Sequence, residues 1–139
     1  MVVKLAGALS RQQWKDGVEH FISSALIKYV LAEVAELNGY TAHLEHWRKD
    51  VERLINIELP MFLEMVKTKS RFDKQRAIEE IVRENERRFP RGLEVARKAL
   101  AADYYKQTKN PTDFKIPDPA ASGAALWLRV REAVNDALE

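Results

Sequence analysis

Apolar residues recur at three- and four-residue steps through most of the chain, the period of helices that turn one face to a core. The longest such run opens at Ser10. Ser10 and Gln13 have the spacing of a capping box, in which the hydroxyl accepts from the third helical amide and the glutamine reaches back to the cap. Trp14, Val18, Phe21, Ile22, Ala25, Leu26, Tyr29, Val30, Val34 and Leu37 then mark a first helix, which Asn38-Gly39 stops. Its middle is apolar nearly all round, so it is expected to be the most buried helix. A second helix is predicted from near Thr41, with Leu44, Trp47, Val51, Leu54 and Ile55 inward. Pro60 lacks an amide donor and crowds the preceding turn, so it kinks or ends that helix.

Ser70 and Asp73 offer a cap for a third helix with a narrow apolar stripe, Phe72, Ala77, Ile78, Ile81, Val82 and Phe89. Eleven of the 18 residues over 71–88 are charged, which places this helix at the periphery with one stripe docked. Phe89-Pro90-Arg91-Gly92 reads as a break, and a fourth helix follows over about 92–107 on Leu93, Ala96, Ala99, Leu100 and Tyr104. Pro111, Pro117 and Pro119 predict an extended segment over about 108–120. A last helix over about 121–138 carries Leu126, Val130, Val134 and Ala137 on one face. The expected class is all-α. Residues 1–139 form one domain, a four- to five-helix bundle of long antiparallel helices with a Pro-rich extended segment before the last.

A chain of 139 residues can bury a core without a disulfide or metal staple. It has no cysteine, which excludes disulfides, thiolate zinc sites and cysteine nucleophiles. Lys28, Glu33 and Glu36 interrupt the best apolar run well short of the roughly 18 residues that a membrane span needs. The start lacks the pattern of a secretory signal. The expectation is a cytoplasmic protein with no membrane association.

Two constellations carry candidate chemistry. His43, His46 and Asp50 share a face of the second helix, and imidazole with carboxylate is ligand chemistry for zinc, iron or manganese. Glu33 and Glu36, three apart on the first helix, would complete such a site across the bundle. The stretch Val30-Leu31-Ala32-Glu33-Val34-Ala35-Glu36-Leu37 has a surface likeness to the all-α nucleoside triphosphate pyrophosphohydrolases. It lacks their second acidic pair, Glu-x-x-Asp, on the following helix. No Glu-x-x-His for a di-iron site occurs, no glycine loop for phosphates, and no arranged serine nucleophile around His20. The metal reading, a hydrolase using Glu33, Glu36, His43, His46 and Asp50, is one alternative; no cofactor is otherwise expected.

Charge separates the chain more clearly. Residues 67–98 hold eleven Lys or Arg against six Asp or Glu, while the rest of the chain is slightly acidic. Lys67, Lys69, Arg71, Lys74, Arg76, Arg87, Arg88 and Arg91 form a candidate anion-binding stretch for nucleic acid or an acidic protein. Interleaved pairs such as Glu79 with Arg83 and Glu84 with Arg88 also give that stretch a salt-bridged, solvated face. Finally, the first helix is apolar on more faces than one neighbour covers, and Trp14, Trp47 and Trp127 are spread over three helices. A spare apolar face is a common basis for a symmetric dimer. The leading expectation is a non-enzymatic interaction or assembly module that binds a second copy, as a dimer, or another protein.

Overall fold

The computed structural model describes residues 7–108 and 114–138. Helix α1 spans Arg11–Leu37, α2 Leu44–Arg53, α3 Leu59–Met65, α4 Lys74–Thr108 and α5 Pro119–Leu138, and a π-helical turn, Leu54–Glu58, joins α2 to α3. Among the described residues there is no strand, only an isolated bridge between Leu9 and Thr68. The fold is all-α. Residues 109–113, within the expected extended segment, and the side chain of Tyr104 lie outside the described residues.

The α1 helix begins at its capping box: Gln13 N donates to Ser10 Oγ at 3.1 Å and Ser10 N to Gln13 Oε1 at 2.9 Å. It ends where Gly39 takes φ +72°, the left-handed conformation that favours glycine. Asn38 fastens that end to the segment before α5. Its Nδ2 donates to Val34 O and Lys115 O, and its Oδ1 accepts from Lys115 N, each at 2.8 Å.

Both internal prolines behave differently from a simple helix stop. At Pro60 the missing donor and the ring disfavour an ordinary α-turn onto residue 56. The preceding turn is widened instead: Leu59 N donates five residues back, to Leu54 O, and the rod continues into α3. The second helix also starts at Leu44, three residues later than its expected start. Pro90 is a correction to the expected break, because α4 runs straight through it. Pro90 itself faces solvent, while Phe89 and Leu93 on either side are fully buried. Phe89 sits between the Tyr29 and Trp127 rings, each 6.1 Å away between centroids. Burial of such side chains stabilises by about 2–3 kcal/mol each, enough to offset the ~3 kcal/mol cost of an internal proline. The third and fourth predicted helices are therefore one. Its cap is Asp73, whose Oδ1 accepts from Arg76 N at 3.0 Å, rather than Ser70.

The helices form four rods, α1, α2–α3, α4 and α5. Rod α2–α3 runs antiparallel to α1, with Arg48 beside Glu36 at one end and Phe62 beside Gly17 at the other. Helix α5 runs antiparallel to α4, with Trp127 on Phe89 and Arg131 on Glu79. The α1–α4 pair is parallel, departing from an all-antiparallel arrangement. Lys15 meets Glu80, Glu19 meets Asn85, and Tyr40 donates to Asp103 in the same direction along both helices. The reason is the crossover at residues 66–73, which returns the chain to the end where α1 starts. There Leu9 N donates to Lys67 O and Lys69 N to Leu9 O, both at 2.8 Å. Helix α1 packs on α2 and α4, while α5 packs on α3 and α4. Because the α2–α3 rod also packs along α1, the neighbours around the bundle run α1, α2–α3, α5 and α4 in turn.

Candidate interaction surface

Where α1 and α4 pass side by side, the period of each helix puts more apolar residues outward than the neighbouring rods cover. Leu26, Ile27, Val30 and Leu31 from α1 face Gly92, Val95 and Ala96 from α4 across an apolar groove of about 440 Å³. Gly92 opens its floor. A β-carbon there would stand 3.6 Å from Val30 Cγ1, an ordinary contact, so the glycine leaves room rather than relieving a clash. Ile27 is 55% exposed and Val95 60%. Arg88 and Arg91 also line the groove. Arg88 lies 3.6 Å from Glu84, and Arg91 has no ion-pair partner among the described residues.

The eight basic residues of the candidate anion-binding stretch fall into two groups. Lys67, Lys69 and Arg71 lie on the crossover, with Lys74 and Arg76 at the start of α4. Arg87, Arg88 and Arg91 lie more than ten residues further along α4, a rise of roughly 16 Å from Arg76 to Arg87. Lys74 stands 5.9 Å over the Trp14 ring, and Arg11, outside the expected set, 5.7 Å over Phe72. Lys67, Lys69, Arg71 and Arg76 are exposed, with no ion pair among the described residues. Arg87 and Arg88 both pair with Glu84.

The five metal-ligand candidates do not converge. Glu33 accepts from the buried Ser122 hydroxyl at 2.7 Å, while Tyr29 donates to the Ser122 carbonyl at 2.9 Å. Burial and the Glu33 charge raise the Tyr29 pKa. Glu36 pairs with Arg48 at 2.6 Å. Asp50 lies within 3.2 Å of Arg53, 3.5 Å of Lys28 and 3.6 Å of His46. Desolvation pushes its carboxyl up, but Arg53, His46 and Lys28 together hold it below the usual range. The His43 ring packs 5.7 Å from that of Trp47. Among the described residues, no three His, Asp or Glu side chains stand close enough to share a metal ion. These residues instead form an ion-pair and hydrogen-bond seam linking α1 to α2 and to the start of α5.

Further exposed apolar side chains lie on the π-helical turn, α3 and α5. Ile57, Met61, Met65 and Leu128 are each more than half exposed. The first three recur at four-residue steps, out of phase with the buried Leu54, Ile55, Leu59 and Leu63. That second phase is readable in the sequence, although the core stripe draws attention away from it. No helix among the described residues is long and apolar enough to cross a membrane. Comparison with protein-family models, curated proteins and solved structures finds no match to this chain.

Proposed function

We propose that this protein is a non-enzymatic helical-bundle module for protein interaction and assembly, with a second copy of itself as its principal partner. The observation that carries this reading is the apolar groove between α1 and α4, where Ile27 and Val95 remain more than half exposed. Contiguous apolar surface bordered by charge marks interaction sites on soluble domains. A dimer is the smallest such assembly. Size exclusion with light scattering, over a range of concentration and in low and high salt, tests it. Self-association that persists at high salt is expected, and a strictly monomeric species that captures no other protein would overturn the reading.

A second reading rests on the crossover end, where Lys67, Lys69, Arg71 and Arg76 are exposed without an acidic partner among the described residues. Such a cluster suits an anionic partner, nucleic acid included, whose affinity falls steeply with salt. Fluorescence anisotropy with labelled DNA and RNA at ~50 mM salt decides it. No measurable binding to either removes the nucleic-acid version.

A further inference from the structure

We infer that this chain assembles head to tail, the α1–α4 groove of one copy receiving the outer face of the α2–α3 rod from a second copy, with Ile57 on its π-helical turn and Met61 and Met65 on α3. The inference rests on the self-association proposed above and assigns its two surfaces. The groove is apolar along its floor and carries Arg88 and Arg91. Its chemistry calls for a helix with apolar anchors one turn apart and acidic flanks, the usual helix-in-groove mode. The chain itself presents such a helix. Ile57, Met61 and Met65 stand at four-residue steps and are each more than half exposed. The most exposed charged side chains on α3 and α5 are acidic: Glu64, Glu132 and Asp136. Arg129 and Arg131 are half-buried, and Arg131 pairs with Glu79 and Glu86. Arg53, one turn before Ile57, is paired with Asp50 and Glu58. Glu64 lies next to Met65 and one turn from Met61, where it can meet an arginine as the methionines fill the groove. Methionine's flexible thioether adapts to an irregular apolar floor.

The same charges argue against symmetric pairing. Groove against groove would set Arg88 and Arg91 of both copies together, and α3 against α3 would do the same with Glu64. The groove lies between α1 and α4 and the apolar anchors stand on the α2–α3 rod, so one molecule presents the two as separate patches. Contact between unlike patches is heterologous: it closes into a ring or continues as a filament.

Two exposed-site variants separate the possibilities. Val95→Glu blocks the groove and Met61→Glu blocks the α3 face, with melting curves confirming that both fold. Wild-type mass should rise beyond that of a dimer with concentration, and each variant alone should remain monomeric. An equimolar mixture should then double in mass and stop, because one intact groove meets one intact α3 face. A Met61→Glu protein that dimerises alone would establish groove-to-groove pairing and overturn the inference. Self-association of the wild type with no complex in the mixture would overturn the inference and leave the assembly reading standing. A wild type that never self-associates removes both self-association and this mode of it. A second pair leaves the apolar contact intact: Arg91→Glu and Glu64→Arg should each weaken assembly about tenfold or more, and a chain carrying both should regain it. Failure of that chain to regain assembly would also overturn the inference.

Discussion

The edge of the Phe62 ring reaches so close to Gly17 that a β-carbon at Gly17 would stand 2.5 Å from its Cζ and 2.8 Å from its Cε2. Gly17 lies inside α1, where glycine is disfavoured by about 1 kcal/mol relative to alanine. The close approach seats Phe62 near Trp14 and Phe21, with centroids 6.5 and 5.6 Å away, and so docks α3 on α1. Gly17→Ala is expected to lower stability by about 1–2 kcal/mol, since overpacking outweighs the propensity gain. Denaturant midpoints measure this. Adding Phe62→Leu should recover part of the loss, and a purely additive double variant would show that the ring is not the obstacle.

Pro90 offers the opposite case. Its ring faces solvent within α4, and burial of Phe89 and Leu93 holds the helix together around it. Pro90→Ala restores one backbone donor and removes the clash with the preceding turn. A gain of about 1–3 kcal/mol is expected, visible as a raised Tm. An unchanged Tm would mean that the backbone around Pro90 has already relaxed the strain.

Asn85 is fully buried on α4, with Nδ2 donating to Ile81 O at 2.9 Å and Glu19 Oε2 at 3.2 Å, while its Oδ1 has no partner. Asn85→Asp would bury a carboxylate against that of Glu19. The loss should reach about 3 kcal/mol or more at neutral pH. The introduced carboxyl would have a folded-state pKa above its unfolded value, so the destabilisation should shrink as pH falls towards 4. Urea denaturation at neutral and acidic pH gives the comparison, and a pH-independent loss would place its cause in packing.

Arg131 on α5 grips Glu79 on α4 through Nε at 3.2 Å and Nη2 at 2.7 Å. The hydrogen bonds from Arg131, against a smaller push from burial, and then the charges of Arg131 and Arg83 hold the Glu79 carboxyl below the usual range. Its stabilisation is therefore complete above the unfolded pKa of about 4.3 and is lost as pH falls through the folded value. Both side chains are more than a third exposed, so screening limits the contribution to about 1 kcal/mol. Glu79→Gln should cost that much at pH 7 and nothing at pH 2, leaving a shallower acid limb in a plot of stability against pH.

Local signals served well where the determinant is local. Ser10 with Gln13 and Asn38 with Gly39 frame α1 at both ends because each cap is made within four residues. Pro90 reads as a stop by the same local logic, but the burial that carries α4 past it comes from Tyr29 and Trp127 on other helices. The carboxylates of the expected metal set stand where helical spacing implies, yet other partners reach them first: Ser122 at Glu33, Arg48 at Glu36, and Lys28 with Arg53 at Asp50. An excess of apolar surface on α1 was legible. Which part of it stays uncovered, Ile27 at the rim of the groove, depends on the path of α4 beside it, and no periodicity in either helix encodes that path.

The parallel pairing of α1 with α4 also orders events during synthesis. Glu19 and Asn85 are 66 positions apart, so the interface they join waits for a long loop to close, unlike that of α1 with its neighbour α2. A nascent chain that has emerged only as far as residue 70 already contains α3 but has no α4, and hence no groove. In the head-to-tail assembly proposed above, growing chains on one messenger would present only the α3 face to each other until α4 docks, so unfinished copies would not link before they had folded.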